Sequence, residues 1–150
     1  MPKLDLATMP ETNATGYPKV YADAVAGRFV RRIGLMLGFS GMGVNIVRLE
    51  PGAWSSQRHW HSHEDEFVLM LEGEAVLVEE GTETVLRAGD MAAFVHGVEN
   101  AHHLVNRSDI DCLFLVVGTD RADDACHYPD IDMHLPRSDG GFTRKDGTPW

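Results

Sequence analysis

Between residues 42 and 118 the chain alternates short apolar runs with turn pairs, and none of it keeps the roughly 3.6-residue period of an amphipathic helix. Residues 44–49 are rich in β-branched side chains and stop at Pro51-Gly52, which reads as a strand meeting a turn. Phe67-Val68-Leu69-Met70-Leu71 is unbroken apolar sequence ending at Glu72-Gly73, the pattern of a strand buried on both faces. Residues 74–78 and 82–86 flank Glu79-Glu80-Gly81, a hairpin signal with a solvated tip. Arg87-Ala88-Gly89-Asp90 is a further turn before residues 91–95, and residues 102–106 and 112–117 complete the series. About eight or nine short strands at 8–12-residue spacing predict an all-β protein, an antiparallel sandwich or barrel.

The flanks differ. Residues 1–27 are broken by Pro2, Pro10, Gly16, Pro18 and Gly27 and read as an irregular arm. Residues 28–37 read as a first strand, and Gly38-Phe39-Ser40-Gly41-Met42-Gly43 as a flexible connection, because no strand-then-helix context makes it a phosphate loop. Beyond Thr119, Asp, His and Pro dominate, and Tyr128, Phe142 and Trp150 need somewhere to pack. The expected organisation is one domain over residues 1–150: arm and first strand to residue 40, barrel core over 41–118, and a C-terminal tail over 119–150 packed on the barrel.

Charge narrows the partners. The formal net charge is -10 and there is no basic run, so neither nucleic acid nor an anionic membrane is an expected partner. Cys112 and Cys126 do not make a disulfide framework, the N-terminus has no apolar signal core, and no segment is long enough to span a bilayer. The expectation is a cytoplasmic protein acting on a small molecule.

The candidate chemistry sits in Arg58-His59-Trp60-His61-Ser62-His63-Glu64-Asp65-Glu66. On a strand, alternate side chains share a face, so His59, His61 and His63 lean one way, and Glu66 returns at the head of the next apolar run. Imidazoles plus a carboxylate on one concave face make a ligand set for a divalent transition metal. His63 shares that face but falls at an expected turn, where it is a mouth residue, a proton shuttle or a solvated side chain. Asn45, Gln57 and Asn106 are candidates to hold the second imidazole nitrogens. Trp54, Trp60, Phe67, Met70 and Phe94 are candidates for apolar walls, Trp60 with the opposite parity to the ligands.

Gly52, His59, His61, Glu66 and Gly73 resemble the first conserved motif of the cupin superfamily, with four residues between His61 and Glu66 and six between Glu66 and Gly73. The second motif is similar to residues 89–97 continuing to His102 and Asn106, although Val95 stands where the family has proline and the spacer before His102 is longer. The resemblance covers about residues 44–118. It implies a jelly-roll (double-stranded β-helix) barrel, a homodimer, and His102 as the last ligand beside His59, His61 and Glu66. It also implies Fe, Mn, Ni, Zn or Cu as the metal.

Open positions on such an ion suit three functions. The first expectation is a dioxygenase acting on a small diol, diketone or thiol. The alternatives are a redox-neutral isomerase, decarboxylase or lyase, and a non-enzymatic barrel that binds a metal or sugar. Lys3, Lys19 and Lys145 all lie outside the strand region, so a Schiff base in the barrel is not expected. A phosphosugar is disfavoured on the same ground, with Arg48, Arg58, Arg87 and Arg107 left to clamp an anion.

Overall fold

In the computed structural model, residues 3–137 and 140–150 are described. Met1 and Pro2 of the expected arm and residues 138 and 139 of the tail lie outside them.

Among the described residues eleven strands run in the order β1 (Arg28–Arg32), β2 (Met42–Leu49), β3 (Trp60–His61), β4 (Glu66–Glu72), β5 (Glu74–Glu79), β6 (Thr82–Arg87), β7 (Met91–Phe94), β8 (His103–Val105), β9 (Cys112–Thr119), β10 (Cys126–Tyr128) and β11 (Met133–Leu135). A five-stranded sheet, β1-β2-β9-β4-β7, faces a three-stranded sheet, β6-β5-β8, and every pairing is antiparallel. Gly73 and Gly89 take positive φ of 69° and 93° at the turns expected of them.

The inward rows of these strands change character along their length. Register places Asn45 beside Val116, Val47 beside Phe114 and Leu49 beside Cys112, while Val116 and Phe114 pair on the other side with Val68 and Met70. Leu49, Val68, Met70, Cys112 and Phe114 are fully buried and pack with Ala75, Leu77 and Leu86 of the facing sheet. Each large apolar side chain there contributes about 1.5–3 kcal/mol of burial free energy. At the other end the same rows present Asn45, Val116 and Glu66, and the barrel opens into a cavity. One end is a packed core and the other a site.

The tail closes the structure differently. β10 pairs with β3 and β11, bringing Cys126 opposite His61. A second core of Cys126, Tyr128 and Met133 takes Tyr17 and Tyr21 from the arm and Phe142 from the tail. Tyr21 also meets the Trp150 ring edge-on at 5.4 Å.

Four local expectations are corrected. Residues 33–37 leave the strand and form α2 (Ile33–Leu37), stopped by Gly38 in the left-handed region; Gly34 packs so closely that a Cβ would stand 2.9 Å from the Val44 nitrogen. The arm is not wholly irregular, since it holds α1 (Lys19–Ala22) between short 3-10 turns. β4 is not buried on both faces: Val68 and Met70 point inward, whereas Phe67 and Leu71 are each 37% exposed. The strand expected to carry the histidine row is only β3, two residues long, with His59 just before it in a single bridge to His102.

Candidate metal centre

The His59–His102 bridge, with reciprocal backbone bonds of 3.1 and 2.9 Å, sets two imidazoles side by side at 5.1 Å between ring centres. Glu66, at the head of β4, reaches the same point. Its Oε2 lies 3.0 Å from His102 Nε2, and one donor atom from each of His59, Glu66 and His102 falls within 4.8 Å of the others.

The tautomers follow from the acceptors. His59 Nδ1 lies 2.9 Å from the Gln57 carbonyl oxygen, so Nδ1 carries the proton and donates it, leaving Nε2 its lone pair. Burial, reinforced by the neighbouring His102 and His61, pushes the His59 pKa down to about 3, so the ring is neutral at ordinary pH. Burial works against ionisation of Glu66. The hydrogen bond from His102 and the adjacent imidazoles outweigh it and hold the carboxyl at about 2.

His61 stands beside this trio, its ring 4.9 Å from that of His59. Its Nδ1–H donates to Asp124 Oδ2 at 2.7 Å, which leaves Nε2 with its lone pair pointing away from Asp124. His61 also belongs to two further close groups, with His59 and Cys126, and with Glu64 and Asp124. Asp124, 1% exposed, accepts the backbone N–H groups of His63 and Glu64 at 2.8 and 3.2 Å. Its desolvation is outweighed by the His61 bond and these amides, and its pKa is lowered. Sequence reading misses Asp124, because nothing in the acidic run around it separates it from its neighbours.

The remaining histidines do not join. His63 lies at the turn expected of it: β3 ends at His61, the chain bends, and the exposed His63 ring meets the Ser62 hydroxyl at 2.7 Å. His103 is buried against the Ser56 carbonyl and the edge of Trp54. His96 sits on Asp65 at the surface, and Trp60 stacks on His127 at 4.0 Å. The expected supports also shift. Gln57 holds His59 through its backbone carbonyl while its side chain donates to Tyr21 O, and buried Asn106 donates to the carbonyls of Leu49 and Ile110. Cys126 is not a polar-tail residue; it is buried beside His59 and His61, and burial pushes its thiol pKa up.

All four expected ligand positions line one cavity of about 350 Å³. Of the five expected apolar walls only Phe94 lines it, stacked flat on His102 with ring centres 3.4 Å apart. Arg48, Arg58, Arg87 and Arg107 face elsewhere, each paired with carboxylates; Arg28 and Arg32 line the cavity instead. Imidazole nitrogens and a half-buried carboxylate converging within a few ångströms make a donor set that fits a divalent transition metal. Among the described residues no helix is long and apolar enough to cross a membrane.

Comparison with known proteins agrees with this geometry. A family profile for the cupin domain matches residues 45–118. A structure from Silicibacter pomeroyi, described as a sugar phosphate isomerase of the cupin superfamily, is 46% identical over 99% of this chain and 96% of its own, with a TM-score of 0.92. A candidate sugar phosphate isomerase from Acidithiobacillus ferrooxidans is 28% identical over 79% of this chain and 76% of its own, with a TM-score of 0.72. The polyketide cyclase RemF of Streptomyces resistomycificus, 18% identical over 79% of each chain with a TM-score of 0.65, shares the fold. No curated protein sequence matches. The paired antiparallel sheets are thus the jelly roll of this family, and the chain belongs to the cupin superfamily.

Proposed function

We propose that this protein is a metal-dependent, redox-neutral isomerase of a small phosphorylated sugar. The observation that carries the reading is the convergence of His59, Glu66 and His102 inside a cavity of small-ligand size. Two relatives, one described as a sugar phosphate isomerase and the other as a candidate one, favour this class over the oxygen-dependent one expected first from the sequence.

His59, Glu66 and His102 are the residues that would hold the ion, with His61 beside them. A divalent ion bound there would polarise a substrate carbonyl or hydroxyl as a Lewis acid. The chain's own residues do the rest. Asp124 fixes the tautomer and direction of the His61 ring. Phe94, flat against His102, keeps water from one side of the ligand rings. Glu64 lines the same cavity and carries a carboxylate able to take and return a proton between adjacent carbons.

The dioxygenase reading keeps one supporting observation, since two imidazoles and a carboxylate with open positions also suit Fe(II) oxygen chemistry. The two separate in one experiment. Protein loaded with Mn(II), Zn(II) or Fe(II) is incubated with aldose and ketose phosphates in D2O while NMR and an oxygen electrode follow the mixture. Isomer formation with solvent deuterium at the exchanging carbon, and no oxygen uptake, supports the isomerase. Substrate loss in step with oxygen consumption overturns it. We also propose a homodimer, on the family resemblance; light scattering giving a single chain mass would remove that.

A further inference from the structure

Most arginines of this chain are neutralised at the surface. Arg31 and Arg48 bind Glu11, Arg58 binds Asp130 and Glu80, Arg87 meets Glu74, Arg107 binds Glu83 and Arg121 binds Asp123. Arg28 and Arg32 differ on both counts: they line the cavity, and neither has a carboxylate partner among the described residues. Arg28 Nη1 donates to the Ser55 carbonyl at 2.8 Å, while its Nε is buried with no acceptor. The Arg32 side chain, exposed at the cavity mouth, makes no hydrogen bond or ion pair among the described residues. A buried cationic donor with no acceptor is costly unless something supplies one.

The strand explains the placement. Arg28, Val30 and Arg32 alternate on one face of β1, and Val30 between them is part of the core. Register sets Arg32 against Asn45, another cavity-lining side chain with donors to offer. The Cα atoms of the two arginines stand about 13 Å apart along the strand, which long side chains can close. Desolvation, followed by the neighbouring charge of Arg32 among smaller effects, lowers the Arg28 pKa, so the two guanidiniums lie near enough to feel each other. With a divalent ion on His59, Glu66 and His102, the ion and the two arginines outweigh the lining carboxylates Glu64, Glu66 and Asp124 by at least one charge. A chain of net charge -10 thus holds a local anion trap.

We propose that Arg28 and Arg32, with Asn45, form a phosphate-binding subsite that seats a phosphate monoester at the cavity mouth and directs the rest of the substrate toward His59, Glu66 and His102. This rests on the isomerase reading for the identity of the substrate, and its test does not. Calorimetry on the full chain, manganese-loaded and metal-stripped, compares glycerol phosphate with glycerol and acetate as probes. Wild type is expected to bind glycerol phosphate more tightly manganese-loaded than metal-stripped, and glycerol in neither state. Arg32→Gln and Arg28→Lys are each expected to weaken it about tenfold, the loss of a charge-assisted contact, with manganese affinity unchanged. Arg87→Gln, at the surface, is expected to bind as wild type does. Arg32→Gln keeps the test decisive if Arg28→Lys does not fold, since the Arg32 side chain holds no other residue in place. Glycerol phosphate binding that is unaltered in Arg32→Gln, or that acetate matches, overturns the subsite. Arginine-dependent phosphate binding without isomerisation would sink the proposed reaction and leave the subsite standing.

Discussion

At the residue scale the decisive group outside the donor trio is Asp124. A buried carboxylate that holds one imidazole and two amides at once sets both the ring direction of His61 and the path of the chain from His61 to Glu64. Asp124→Asn keeps the size but loses the charge, so the His61 ring is free to change tautomer. Metal affinity is expected to fall about 10–100-fold, as when other acceptors behind ligating imidazoles are removed. His102→Ala removes a donor outright and is expected to lower metal content further. Metal analysis after dialysis measures both. Full metal content in Asp124→Asn would place His61 outside the coordination sphere, and full content in His102→Ala would remove the assignment of this trio. The contrast also marks what sequence can reveal at this scale. His59, His61 and Glu66 stand within eight residues of one another, and local alternation brings them to notice. Asp124, Cys126, Arg28 and Arg32 reach the cavity through pairings between distant segments, which leave no local signature. Periodicity over-extended the histidine row in one respect: alternation carries only as far as the strand does, and β3 stops before His63.

At the element scale the site depends on how β4 and β9 lie together. Glu66 pairs with Gly118, and a Cβ on Gly118 would stand 2.9 Å from the Asp65 carbonyl oxygen. That oxygen is backbone and also accepts the Thr119 N–H at 3.0 Å, so it has little room to yield. Gly118→Ala is therefore expected to displace the head of β4 and carry Glu66 with it, destabilising the fold by about 1–3 kcal/mol as overpacking does elsewhere. Metal affinity should fall in the same variant. Urea unfolding and metal titration report the two effects, and a variant with unchanged values in both would show that β4 tolerates the shift. The strands and their turns were legible because β-branched runs punctuated by glycine and proline are a local pattern. α2 was not, since its apolar run reads equally as strand, and only the close approach of Gly34 to β2 settles it.

At the scale of the whole molecule the same groups tie stability to pH and to metal. The His59 ring has an ordinary value of 6.5 and sits at about 3 in the fold. Between those limits the unfolded chain takes up a proton that the folded chain refuses, so stability falls as pH drops from 6.5 toward 3. Glu66, ordinarily 4.5 and held at about 2, contributes stability that is complete above 4.5 and lost as pH falls toward 2. Both groups act in the same direction, so the metal-stripped protein is expected to weaken steadily below pH 6.5, at up to ~1.4 kcal/mol per pH unit for each net proton. Urea midpoints from pH 7.5 to 4 measure this, and His59→Gln should flatten the upper part of the slope. A bound ion opposes the same protonation, because its ligands must be deprotonated. At an ion concentration about a hundredfold above the dissociation constant the gain is about 2.7 kcal/mol, or roughly 5–10 °C in Tm for a chain of this size. That increment should be absent after chelation and present at pH 7.5 and at pH 5 alike, since His59 and Glu66 stay deprotonated in the fold at both. An ion that left Tm unmoved at pH 7.5 would mean that His59, Glu66 and His102 do not bind it.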